Sequence, residues 1–280
     1  MDNPLSAPLT RPLPGLEAWS AHFQAAPIPV LASTAEALEA LRAREDDVDA
    51  NLLGETVAVD PLMTLRVLAH AAAHRSPRMV TDTGTVTAAV VMMGITPFFR
   101  AFGPAPTVED QLREQPAALA GLHAVLRRSH RAATLAIGFA VHRMDPDAAL
   151  IHQAALLHDF AELLLWCHAP ALALALQRAQ QADPALRSTT AQQALLNVTL
   201  GDLQQALMGA WRLHALLVKT ADERHAEHPS VRTVALAVRL ARHSAQGWEN
   251  AALGDDFSDL AQLLNLSAAA AEQLVRDIGA

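Results

Sequence analysis

Apolar residues along this chain recur three to four apart, the spacing of one helix face, and each run ends on a polar, glycine or proline stop. Leu38 and Leu41 set the inner face of a helix predicted over Ala35 to about Arg44, with Thr34 as its cap. Asp49 opens the next, to about Val59. At Asp60-Pro61 a carboxylate that accepts free N–H groups precedes a proline suited to the first helical position. Leu62, Leu65, Val67 and Leu68 then face inward until about His74, and a loop follows over Ser76–Asp82. Val86–Met93 reads as an apolar helix stopped at Gly94, and Thr96-Pro97 restarts a short one to Phe102. Gly103-Pro104-Ala105-Pro106 has the composition of a linker.

Beyond it a long helix is predicted from Pro116 to Arg143, ended by Asp145-Pro146. Further helices are expected over Asp147–His168, Pro170–Gln181, Thr190–Leu196 and Asp202–Leu217, the last bent near Leu213. Pro229-Ser230 starts a helix over Val231–Gln246, and Ser267 caps one running to Ile278. Before all of these, Pro4, Pro8, Pro12, Pro14, Pro27 and Pro29 keep the N-terminal arm mostly non-helical, with a turn or two of helix over Leu16–Gln24. The organisation expected is an arm over 1–26, an N-terminal helical lobe over 27–106 and a C-terminal helical lobe over 107–280.

Composition strengthens the helical reading. Hydrophobic residues make up 51% of the chain, Ala and Leu dominate, and Tyr is absent. Ala and Leu are strong helix formers, so the expected class is all-α, one lobe packed on the other. A net charge of −8 argues against a general nucleic-acid binder, whose affinity rests on Lys and Arg. Cys167 is the sole cysteine, which excludes an intrachain disulfide and a cysteine-based zinc site. The first 20 residues lack the basic start and apolar core of a signal peptide, and no apolar run reads as membrane-spanning. A cytoplasmic protein with no membrane partner is expected.

The candidate chemistry centres on His158-Asp159, set inside the apolar run Leu156 to Trp166. Neighbours on a helix point about 100° apart, so the two cannot chelate an ion unless other helices bring further donors. Two readings stand open: such donors converge, or Asp159 pairs with a nearby Arg or His while His158 bonds a backbone carbonyl. His152, Glu162 and His168 surround the doublet in sequence. His70 and His74 have zinc-binding spacing but no third ligand beside them. Arg127, Arg128, His130 and Arg131 form the densest basic cluster, read as a solvated helix face.

Several motifs in order resemble the HDOD family, the output-domain relatives of the HD and HD-GYP phosphohydrolases. They are Pro27-Ile28-Pro29-Val30, Asp60-Pro61-Leu62-Met63-Thr64-Leu65-Arg66-Val67-Leu68, Ala88-Ala89-Val90 to Gly94, Leu156-Leu157-His158-Asp159, and Trp211-Arg212-Leu213. The resemblance covers roughly residues 27 to 245 and implies an HD-like C-terminal lobe. The chain departs from the pattern at His70-Ala71, where the family has Asn-Ser, and at Phe160-Ala161, where it has a hydrophobic residue and Gly. In metal-dependent relatives an earlier His joins the metal site; here Arg128 takes its place. Leu200 stands at a later His position, and the paired His after Trp-x-Leu is reduced to Arg224-His225.

The resemblance therefore implies a non-catalytic signalling or regulatory module with a degenerate metal site, no cofactor, and a signalling protein or small ligand as partner. No receiver, cyclase or DNA-binding segment is evident in the sequence, so its input is expected to arrive by association. The alternative is a metal-dependent phosphohydrolase or phosphodiesterase, with His158 and Asp159 on a divalent ion, His130, His152 or His225 recruited, and Arg128 on phosphate. A third reading, a small-molecule sensor, expects a sizeable pocket between the lobes near Gly103–Pro106.

Overall fold

The computed structural model describes residues 7–75, 84–183, 185–221 and 227–279, and the chain is all-α. Among the described residues the exceptions are a 3-10 turn at Glu45–Asp47 and one parallel bridge between Val30 and Thr107. In chain order the helices are α1 (Leu16–Ala25), α2 (Ala32–Arg42), α3 (Ala50–Ala58), α4 (Pro61–Ala73), α5 (Val86–Met93), α6 (Ile95–Ala101), α7 (Val108–Gln111) and α8 (Pro116–His142). Then come α9 (Ala148–Leu156), α10 (Phe160–His168), α11 (Pro170–Ala182), α12 (Ser188–Leu196) and α13 (Leu200–Ala210). The last are α14 (Ala215–Thr220), α15 (Pro229–His243), α16 (Leu253–Leu264) and α17 (Ala268–Ile278). Contacts group them into two units, Met1–Val125 with Phe160–Leu213, and Leu126–Asp159 with His214–Ala280.

In the first unit, α2 to α6 close around Val30, Leu38, Leu53, Val57, Met63, Val90 and Phe98, all buried. Asp60 organises this packing. Its Oδ1 accepts from the Leu62 and Met63 N–H groups at 2.8 and 3.1 Å, as the Asp-Pro start predicts. Its Oδ2 reaches back to the Leu31 N–H at 2.8 Å, and Glu109 accepts from the Ala32 N–H at 2.9 Å. Two carboxylates from elsewhere in the chain thus serve the start of α2. That moves its beginning to Ala32 and leaves Thr34 a buried interior residue rather than the expected cap. Gly94 does close α5 as expected, at φ 84°, a conformation that side chains with a Cβ adopt only under strain.

The rest of the first unit packs α10 against α11 and α13, and α13 against α1. The N-terminal arm is tied down: the Leu9 N–H donates to the His168 carbonyl at 2.7 Å and the Trp19 indole to that of Leu196 at 2.8 Å. On α8, Gly121 is needed for close approach, because a Cβ there would enter the Trp166 ring. His168 is buried beside Phe23 and His22, its ring centroid 5.8 and 5.9 Å from theirs.

Burial and then His22 push the His168 imidazole down to about 4, against a backbone bond to Pro27 that works the other way. A histidine lowered on folding stabilises the native state above the unfolded value of 6.5, and that stability drains as pH falls towards 4. The difference corresponds to about 3 kcal/mol at full protonation. Urea titrations from pH 7 to pH 4 are expected to show it as a falling midpoint, and His168→Leu to flatten the fall.

In the second unit α15 packs on α9, α14 and α16, and α16 on α17. Buried Asp256 accepts from Arg239 Nε at 2.9 Å and from His243 Nδ1 at 2.6 Å, joining α16 to α15. Helix α16 lies where the sequence predicts no element. The helix expected over Asp202–Leu217 is two: Arg212 takes φ 53°, and His214 caps α14 by accepting from the Leu216 N–H at 3.1 Å. Ser267 caps α17 as expected. Ala148–His168 is long and apolar enough by composition to cross a bilayer, contrary to expectation, but most of it is buried inside the protein and it is not one unbroken helix.

Candidate functional site

The His-Asp doublet is not inside a helix. Helix α9 ends at Leu156, residues 157–159 form a turn, and α10 begins at Phe160. The His158 N–H reaches back only to the Ala155 carbonyl, at 3.3 Å, the shorter loop of a tightened last turn. In this turn the two side chains meet instead of diverging: His158 Nδ1 lies 3.0 Å from Asp159 Oδ1. An ionised carboxylate can only accept, so Nδ1 carries the proton. His158 therefore bonds Asp159 rather than the backbone carbonyl expected for it.

The second carboxylate oxygen is also engaged. Arg128 on α8 donates from Nε to Asp159 Oδ2 at 2.7 Å, with the two side chains only 19% and 12% exposed. Arg242 on α15 places Nη2 3.9 Å from Oδ1. Burial alone would raise the Asp159 pKa. Arg128, then the His158 bond and charge, then Arg242 outweigh it and hold the carboxyl well below the usual range. Arg242 is absent from the sequence-level candidates, because nothing near it in sequence marks the far end of α15 as facing the doublet.

His152 and His130 sit near each other, and burial and then His130 lower the His152 pKa. His74 and His70 stack at 4.0 Å, and His74 Nδ1 bonds the His70 carbonyl at 2.9 Å, as befits a helix end. Cys167 is fully buried, and burial raises its thiol pKa. Glu162 lies in the first turn of α10, Leu200 opens α13, and Trp211 packs on Phe160 at 5.9 Å. His225 and Arg224 lie outside the described residues. The basic cluster is not one solvated face: Arg128 pairs with Asp159, Arg131 stacks on Trp248 at 5.1 Å, and Arg127 is exposed.

A divalent ion of the kind HD relatives hold needs several deprotonated N or O donors. Among the described residues no three His, Cys, Asp or Glu side chains come together in a metal-binding group. At the doublet, a permanently charged guanidinium occupies one oxygen of the Asp159 carboxylate, and a ring N–H occupies the other. These residues do not fit a metal ion.

A family model described as HDOD domain matches residues 28–227. Among solved structures, the MmoQ response regulator from Methylococcus capsulatus str. Bath superposes with a TM-score of 0.66 at 17% identity, covering 90% of this chain and 98% of that one. A virulence factor from Campylobacter jejuni subsp. jejuni gives 0.63 at 14% identity, covering 94% and 97%. Identities this low establish likeness of fold. No curated protein matches the sequence.

Proposed function

The chain belongs to the HDOD domain family, and on that premise we propose that it is a non-catalytic regulatory module of signal transduction, acting by binding a signalling protein or a small ligand. The observation that carries this reading is the saturated Asp159 carboxylate, held by Arg128 on one oxygen and His158 on the other. Metal-assisted hydrolysis needs an ion with an open position, where bound water loses its proton near neutral pH. Here a cation would have to displace Arg128, a guanidinium mostly withdrawn from water, from the Asp159 carboxylate. The doublet serves instead as a joint, tying the turn between α9 and α10 to α8 and to α15. A solved relative described as a response regulator supports the signalling side of this reading.

The test is phosphate release from nucleotide monoesters and cyclic dinucleotides with manganese, magnesium or zinc added. No metal-stimulated release is expected from the wild type. Release that Asp159→Asn abolishes would establish the phosphohydrolase instead.

A further inference from the structure

In the first unit, apart from the doublet, a cleft of about 30 Å³ opens at Gly103–Ala105. Its walls include Val30, Leu38 and Met63, with Phe102 at one side and Arg42 and Arg66 supplying charge. The two arginines differ. Arg42 is fully committed: its guanidinium donates to the Phe99 and Phe102 carbonyls at 2.8 and 2.9 Å and to Glu39 at 3.2 Å. That bond also occupies Glu39, the only carboxylate lining the cleft among the described residues.

Arg66 has no such partners. Its guanidinium carbon lies 5.8 Å from the centre of the Phe102 ring, and among the described residues it has no hydrogen bond or ion pair. Burial draws its pKa down, and the nearby Asp60 charge opposes that. The Asp60 oxygens, however, are spent on three backbone N–H groups. On the rim of the cleft, the Gly103 and Ala105 backbone N–H groups also donate to no described residue. A half-buried guanidinium without a hydrogen-bond acceptor and two residues with uncommitted backbone amides thus line one small cleft.

We propose that this cleft binds a small monocarboxylate, its two oxygens on Arg66 and its short apolar stem leading out of the cleft. Size and charge choose the class. The volume takes about two water-sized groups, which matches a carboxylate. A phosphoryl group brings nearly two charges to a cleft with one uncommitted cation and the Glu39 carboxylate beside it. The planar fork of Arg66 suits the two coplanar oxygens of a carboxylate. This site is independent of whether the doublet is silent, since the phosphate-release test does not involve it.

The test is titration of the full chain with butyrate at constant ionic strength, read by backbone amide shifts and by melting temperature. Saturable shifts at Gly103 and Ala105 and a rise in melting temperature are expected. Arg66→Gln removes both, and Arg66→Lys, which keeps the charge but not the fork, binds about tenfold more weakly. Absence of saturation, or equal affinity in a folded Arg66→Gln or Arg66→Lys protein, overturns the proposal. Inorganic phosphate saturating the same amides more tightly than butyrate also overturns it, by assigning the cleft to phosphorylated ligands.

Discussion

Asp159→Ala is expected to destabilise the protein by about 3–5 kcal/mol, the range for removing one partner of a buried pair. The cost arises chiefly from what remains: Arg128, 19% exposed, keeps its charge and loses the Asp159 carboxylate, while the His158 ring N–H loses its acceptor. Urea denaturation at pH 7 measures it. The double variant Arg128→Met/Asp159→Ala is expected to recover part of the loss, because the mostly buried Arg128 charge is then removed with its carboxylate. The pH dependence follows from the lowered carboxyl. Its contribution is fully present above the unfolded value of 3.8, is lost as pH falls below it, and is missing from the variant at every pH. A carboxylate serving only as a vacant metal ligand would behave differently. Its removal would leave stability nearly unchanged or improve it, since ligand sets repel one another without their ion.

Asp60→Ala is expected to cost about 3–4 kcal/mol, as one side chain accepts three N–H groups in a fully buried place and its loss leaves all three unsatisfied. Both α2 and α4 lose their start together, so the loss should appear in one cooperative transition monitored by circular dichroism. Asp60→Asn keeps an acceptor for Leu62 and Met63 but turns an amide N–H towards that of Leu31, so an intermediate loss is expected. Burial raises the Asp60 pKa despite these bonds. Its ionisation therefore lowers stability as pH rises past 3.8, opposite in sign to Asp159.

Much of the fold is written locally. Asp60-Pro61, Asp49, Gly94 and Ser267 place helix boundaries because each acts on backbone groups within a few residues of itself. What escapes is set at long range. The start of α2 is held by Asp60 and Glu109, whose role cannot be read from residues 31–34. Arg212 in a left-handed conformation splits α13 from α14, where the sequence suggests only a bend near Leu213. Helix α16 hides in a segment whose polar look conceals an inner face of Leu253, Phe257, Leu260 and Leu264.

At the site, the sequence leaves open the pairing of Asp159 with an arginine, and Arg128 stands where the family resemblance places the missing histidine. The break of the helix at the doublet was not legible, nor was Arg242. Both depend on side chains meeting from helices that are far apart in the chain. The cleft beside Gly103 lies near where the sensor reading expects a pocket, but its uncommitted arginine belongs to the Asp-Pro helix, which reads simply as core.

The most direct measurement is equilibrium dialysis of the wild type and of Asp159→Ala against manganese and zinc at neutral pH, with bound metal determined by elemental analysis. An ion-pair joint predicts identical metal content in the two proteins and no tight stoichiometric site in either. One or more equivalents retained by the wild type and lost with the Asp159 carboxylate would show that the doublet is a metal centre.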